Sequence, residues 1–417
     1  MNPTTSVTAP FALPGSELCV HCGFCLQACP TYLALDDEND SPRGRIVLMK
    51  ALASGAMPFD DADVQRHLDR CLGCRACETA CPSGVPYGRL LETTRTVMTA
   101  RRPLPAIARA ILFVFARPAL LALAMWGARA ARATRVPALL GRLNGAPGFA
   151  MAMLASTRRR RRTAPYAARG APALGAVATL RGCVMEGLFT AANRATERTL
   201  AVNGYALVDA PKQCCCGALH AHAGDAHTAR HLARRNIAAF EASGARWIAV
   251  NSAGCGAMMK EYGHLLHDDA AWRGRAEAFG AKVKDVSELL VAAGPVPGAP
   301  LAARATYDAP CHLQHGQRVV AQPLAVLSAI PGLELVPLTD SDQCCGSAGI
   351  YNLIEPELSN RVLTPKLTNI GATGAELVVT GNPGCLMQIG AGLMRAGSKA
   401  TTVHPVELLD ASYAARL

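Results

Sequence analysis

The chain has 417 residues, half of them hydrophobic but only 5% aromatic, so aliphatic residues and alanine must build its cores, and the length allows two or three domains. The net charge of +11 is uneven: residues 1–100 carry 8 basic and 11 acidic side chains, 101–180 carry 14 and none, and 181–417 carry 20 and 20. The basicity therefore describes one connector and not the protein as a whole. Seventeen cysteines clustered in motifs, behind a start (MNPTTSVTAPFALPGSE) without the pattern of a secretory signal, argue against a secreted disulfide scaffold and for a reducing, cytoplasmic compartment.

In chain order, residues 1–16 lack periodicity and are expected to lie loosely on the surface. Two runs of identical spacing follow, Cys19, Cys22, Cys25 and Cys29-Pro30, then Cys71, Cys74, Cys77 and Cys81-Pro82. Each reads Cys-x2-Cys-x2-Cys-x3-Cys-Pro, the run by which bacterial ferredoxins hold [4Fe-4S] clusters. Three closely spaced thiolates close on one cubane and the fourth reaches the other. The expected sets are Cys19, Cys22, Cys25 with Cys81, and Cys71, Cys74, Cys77 with Cys29. Zinc, which takes four ligands in two separated pairs, suits two complete quartets less well. The prolines should turn the chain away after the last ligand.

Between the runs, Ser41-Pro42-Arg43-Gly44-Arg45 leads into a helical spacing of Ile46, Val47, Met49 and Leu52. Asp60, Asp61 and Asp63 mark a second helix start, and Leu90, Leu91, Val97 and Met98 suggest a third helix after Cys81. Arg43 and Arg45 either neutralise cluster charge, grip a partner, or form a solvated helix start. Residues 1–100 thus read as a helical two-cluster domain.

The connector, 101–175, alternates apolar and arginine-rich pieces. Spanning a bilayer takes about 20 apolar residues, and Arg109 and Arg117 restrict the uncharged runs to 110–116 and 118–128. Amphipathic helices resting on anionic lipid or on a partner are one reading of 101–162, and a buried hairpin with a basic face is the other. Arg158 to Arg162 lack aromatic interleaving or a base-reading motif, so no nucleic-acid partner is expected.

From residue 176 short apolar runs alternate with helices, and the segment occurs twice. VATL, YALV and WIAV are the presumed strands of a module over 176–298, and ATYD, LELVPL and ELVV those of a module over 299–417. Cysteines follow each strand: Cys183, Cys215-Cys216-Gly217 and Cys255 in the first module, Cys311, Cys344-Cys345-Gly346 and Cys385 in the second. The steps are 32 and 40 residues in one half and 33 and 41 in the other, which indicates duplication. Ligands at the carboxyl ends of parallel strands sit where open α/β sheets bind things. Each quartet is thus a candidate metal site, with buried structural or redox-active thiols as the alternative. Cys214 has no counterpart and is read as a bystander. The fold class is α+β: a helical two-cluster domain followed by a duplicated α/β domain.

No Gly-x-Gly-x-x-Gly follows a strand and no phosphate loop occurs, so nothing in the chain obviously holds a flavin or nicotinamide, and no catalytic residue is assigned. His21, inside the first ligand loop, is expected to face solvent. His312 and His315, beside Cys311, are either a proton relay to a quinone or hydrogen-bonded structural residues.

Taken together, the ferredoxin runs, SPRGR at 41–45, and the Cys183-CCG-SAGC and APCH-CCG-NPGC series resemble the iron-sulfur subunits of glycolate oxidase, over nearly the whole chain. Anaerobic glycerol-3-phosphate dehydrogenase small subunits, lactate-utilisation proteins and heterodisulfide reductase share the CCG modules. Where the fullest CCG pattern ends in Cys-x2-Cys, this chain has Ser252-x2-Cys255 and Asn382-x2-Cys385, leaving four thiols per half. The resemblance implies two [4Fe-4S] clusters, one or two more in the CCG modules, and partner subunits carrying FAD that oxidise glycolate to glyoxylate. This chain would then pass electrons toward a quinone or other membrane acceptor on the cytoplasmic face of the membrane. A lactate or glycerol-3-phosphate dehydrogenase subunit, or a thiol/disulfide enzyme, is the alternative.

Overall fold

The computed structural model describes residues 11–157 and 174–415, so the first ten residues and the run Arg158 to Arg162 lie outside the described residues. The N-terminal unit is helical. Helices Pro42–Ser54, Ala62–Asp69 and Tyr87–Arg101 bury Ile46, Met49, Leu52, Val64, Leu68, Leu90 and Leu91 in one core, and the cysteine runs pack against it. Local chemistry sets the helix starts. Ser41 accepts from the Gly44 amide and Asp61 from the Asp63 and Val64 amides, each satisfying donors that the first turn leaves free. Pro30 does not turn the chain away as expected; it opens helix Pro30–Leu35, because a first-turn position needs no amide donor.

The connector folds as helices Ala106–Phe115, Pro118–Ala133, Val136–Leu140 and Gly145–Ser156. Among the described residues no single helix is long and apolar enough to cross a membrane, and the first two meet at a bend of 106°. The connector is buried only in part. Phe149, Ala152 and Met153 are buried against the second α/β module, whereas helix Pro118–Ala133 buries none of its residues completely and leaves Leu123 and Trp126 more than 60% exposed.

The rest is two parallel four-stranded sheets of the same order. Strands β1 (Ala176–Thr179), β2 (Ala206–Val208), β3 (Trp247–Val250) and β4 (Val283–Asp285) lie as β2-β1-β3-β4. Strands β5 (Ala303–Tyr307), β6 (Leu333–Val336), β7 (Leu377–Val379) and β8 (Thr401–Val403) lie as β6-β5-β7-β8. Corresponding registers repeat, Val177 opposite Trp247 in one sheet and Ala305 opposite Leu377 in the other. A single apolar core holds Val177, Ala249 and Leu290 from one half with Ala305, Val379 and Leu409 from the other. Across this join Arg198 pairs with Asp410 at 2.6 Å, and His404 donates from Nε2 to the Asn251 carbonyl at 2.8 Å.

Candidate functional site

Cys19, Cys22, Cys25 and Cys81 line one small cavity, together with Cys77, Arg43 and Tyr87. Cys22 is exposed, and Val20 and Phe24 beside it are 69% and 67% exposed, so this end of the thiol array reaches the surface. His21 is exposed as well, with a positive φ of 57°. Burial pushes the Cys25 thiol up to about 11.

The second set is internal: Cys29, Cys71, Cys74 and Cys77 are all buried. Burial, and then the charges of neighbouring thiols, hold Cys74 and Cys77 well above the ordinary thiol value. Arg45 lies against this set and is only 1% exposed, which removes the solvated helix start as an account of it. Its Nη2 pairs with Asp40 at 2.9 Å, its Nε donates to the His67 carbonyl at 2.7 Å, and its Nη1 is 4.0 Å from Cys29 Sγ. Burial would lower its pKa, but negative charge on Cys71, Tyr87, Cys29 and Asp40 more than offsets that, so the guanidinium stays a fixed cation beside the thiolates. Arg43, by contrast, is half-buried, bonded to Glu38 at 2.6 Å and to the His21 carbonyl at 2.9 Å.

In each α/β module the cysteines converge from three loops at the carboxyl edge of the sheet. Cys183 caps helix Val184–Leu188 after β1, Cys215 and Cys216 fill the loop after β2, and Cys255 rides on helix Ala253–Lys260 directly after β3. Cys311, Cys344, Cys345 and Cys385 repeat the arrangement after β5, β6 and β7. Sγ of Cys215 is 3.9 Å from that of Cys183, and Sγ of Cys345 is 3.2 Å from that of Cys385. Hydrogen bonds from Cys183 and Cys216 depress the Cys215 thiol, and those from Cys311 and Cys345 depress Cys344. Gly346 follows the pair at a φ of +83°, where a Cβ would fall 2.6 Å from the Ser359 carbonyl oxygen, so the turn requires glycine. Cys214 instead directs its Sγ at the Cys215 and Leu232 carbonyls, 3.6 and 3.7 Å away.

The sets connect in ways that spacing did not reveal. Cys74 sits close enough to Cys344 for charge on that thiol to raise it, and Leu72, Cys74, Cys344, Tyr351 and Leu358 share one buried cluster. Both module quartets open onto a single cavity of about 580 Å³. His312 also lines it, bonds from Nε2 to the Gly73 carbonyl at 2.9 Å, and is pushed down to about 4 by burial and by neighbouring His222. His315 is committed at both nitrogens, to Thr79 and to the Asp342 carbonyl. The donor set is wholly thiol, in groups of four, and suits iron-sulfur clusters.

This fold and this array of thiols define a class: iron-sulfur proteins in which a two-cluster ferredoxin-type domain precedes paired cysteine-rich domains. Accordingly, residues 15–85 match the family model of the 4Fe-4S dicluster domain, and 177–260 and 305–390 match that of the cysteine-rich domain. A Bacillus subtilis (strain 168) protein named "Probable glycolate oxidase iron-sulfur subunit" is 40% identical, covering 94% of this chain and 92% of its own length. The Escherichia coli (strain K12) glycolate oxidase iron-sulfur subunit is 34% identical over 94% of this chain and 93% of its own. Lactate utilization protein A of an Exiguobacterium strain is 33% identical over 56% of this chain and 96% of its own. A solved structure of a hypothetical protein from Helicobacter pylori shares the fold at 8% identity, with a TM-score of 0.53 over 97% of this chain and 73% of its own.

The chain belongs to the family of glycolate oxidase iron-sulfur subunits. It is an iron-sulfur, electron-transferring component of an oxidoreductase complex.

Proposed function

We propose that this chain carries electrons one at a time from a reduced flavin on a partner subunit to a quinone at the membrane, in an assembly that oxidises glycolate to glyoxylate. The observation that supports it most directly is the succession of thiol sets, from exposed Cys22 through buried Cys74 to Cys344 beside it. Bound clusters each exchange one electron, whereas removing hydride from a 2-hydroxy acid needs a two-electron acceptor such as FAD. In this reading Cys19, Cys22, Cys25 and Cys81 hold the outer cluster. Cys71, Cys74, Cys77 and Cys29 hold the inner one. Cys183, Cys215, Cys216 and Cys255, and Cys311, Cys344, Cys345 and Cys385, hold the further two.

The four segments 1–100, 101–175, 176–298 and 299–417 would then serve as outer relay, membrane-facing connector and two inner modules. The exposed apolar rim of Val20 and Phe24 around the outer set suits docking of the FAD subunit. Connector residues within 101–162, basic and with Leu123 and Trp126 exposed, suit peripheral contact with the anionic cytoplasmic face of the membrane. Glycolate is favoured over lactate because the relatives named for glycolate match 94% of the chain and the lactate-utilisation relative only 56%.

The test is anaerobic affinity purification of the tagged full chain. Expected are dithionite-induced paramagnetic signals, co-purifying flavoproteins, and glycolate-dependent dye reduction exceeding that with lactate. Colourless, spectroscopically silent material would refute the electron-transfer role, and a preference for lactate would refute the substrate.

A further inference from the structure

The cavity shared by the two CCG quartets extends past its thiols. Pro105, Ala108, Ile111 and Phe115 of the connector wall it, with Leu353 from the second module, and none of these can hold a metal. The cavity measures about 580 Å³ including the space between the two quartets, and its apolar end is the part left for a small molecule once the thiols hold their clusters. Helix Ala106–Phe115 has two working sides. Ala108, Ile111 and Phe115 line the cavity, while Ile107 and Phe113 are each 52% exposed on the protein surface. An apolar path therefore runs along one helix from the cavity toward the face suited to lipid.

One imidazole in the lining is half committed. His222 bonds through Nδ1 to Glu92 Oε1 at 2.9 Å, while its Nε2 is buried without a partner among the described residues. The ring packs 5.3 Å from that of His312. His222 and Glu92 also line a smaller adjoining cavity with Arg75 and Glu261. Nδ1 is thus fixed as a donor by the carboxylate, and Nε2 is the atom left to exchange a proton with something in the large cavity.

We propose that this cavity is the site at which a lipid-soluble quinone is reduced, with His222 as its proton donor and helix Ala106–Phe115 as the entry for its tail. The site deepens the electron-transfer reading above and rests on it. The step balances as one quinone, two electrons delivered singly by reduced clusters, and two protons, giving one hydroquinone. One proton leaves Nε2 of the doubly protonated His222 ring, which keeps its Nδ1–H bond to Glu92 as the neutral imidazole and is reprotonated from solvent, and the other is a solvent proton carried by water entering the cavity. The apolar helix favours a ring with an isoprenoid tail over a water-soluble disulfide.

The test uses the full chain with its clusters, reduced chemically under anaerobic conditions and oxidised either by decyl-ubiquinone or by ferricyanide, which takes one electron and no proton. His222→Gln should lower the ratio of quinone to ferricyanide turnover by about 100-fold, the order expected for loss of a positioned proton donor. Ile111→Trp, which fills the cavity, should raise the KM for quinone at least tenfold. An azido-quinone should label residues 104–115 or 350–354 on illumination, and Ile111→Trp should abolish that labelling. Labelling elsewhere, an unchanged ratio in both variants, or oxidation by a small disulfide but not by quinone would overturn the site while leaving the relay intact. Failure of wild-type protein to reduce ferricyanide would overturn relay and site together.

Discussion

His312 Nε2 donates to the carbonyl of Gly73 at 2.9 Å, so the residue after Cys311 is tied to the residue before Cys74. The bond joins a loop of the second CCG module to a ligand loop of the inner ferredoxin-type set, across 239 positions of sequence. His312→Ala should cost about 1–2 kcal/mol of stability, the usual price of a buried hydrogen bond whose acceptor is left unpaired. It should also slow electron passage between the inner cluster and the second module. Freeze-quenched paramagnetic resonance after mixing with reductant would measure it. Unchanged filling of the module signals would mean that electrons take another route.

Iron content tests the thiol sets one by one. With all four filled by cubane clusters the chain should carry about sixteen iron atoms, and Cys345→Ser should remove about four of them. Near eight in the wild type would mean that only the ferredoxin-type sets are loaded. Cys214→Ser, whose thiol faces two backbone carbonyls, should leave the count unchanged.

How much of this was legible beforehand depends on the range of the interaction. Six strands were readable because each is a short apolar run followed by a cysteine, but β4 (VKD) and β8 (TTV) were not: they are three-residue edge strands with no apolar run. The quartets could be listed from spacing, since duplication preserves it. Their opening onto one cavity could not, because that depends on how two modules pack. For a related reason the sequence leaves Arg45 open between a countercharge, a partner contact and a solvated helix start. At a helix start an arginine normally reaches water, and only burial beside Asp40 and Cys29 reveals a fixed countercharge. The one local signal was Gly44, where a Cβ would lie 2.0 Å from the Glu38 carbonyl oxygen, a sign of close packing in SPRGR.

That countercharge makes its own prediction. Arg45→Met leaves Asp40 buried beside the His67 imidazole, with the partly exposed Arg70 as its remaining cation, and should cost about 3–5 kcal/mol. Arg45→Lys retains a cation but loses the fork that reaches Asp40, Thr31 and the His67 carbonyl together. The inner cluster should then show a shifted potential in a redox titration, with the outer cluster unaffected. Equal shifts in both would argue against a local effect.

The apolar rim at the outer set should behave as a protein contact. Phe24→Asp should weaken co-purification of flavoprotein at least tenfold, since an exposed aromatic at an interface centre is often worth more than 1 kcal/mol. Iron content should not change, because the side chain is 67% exposed. Retention of the flavoprotein at wild-type level would move the docking face elsewhere.

The join between the modules should be acid-sensitive. His404 is 1% exposed, donates from Nε2 to the Asn251 carbonyl, and accepts at Nδ1 from the Val406 amide at 3.2 Å. Burial pushes its pKa down from 6.5 to about 4. Between those values the unfolded chain binds a proton that the folded chain does not, so stability is full above pH 6.5 and is lost as pH falls toward 4. At pH 5 this group's share of the loss should be about 2 kcal/mol. His404→Gln can still donate to Asn251 but does not titrate. Urea midpoints of the cluster-free chain at pH 7 and pH 5 should therefore fall further for wild type than for the variant. Equal falls would assign the acid sensitivity to other groups.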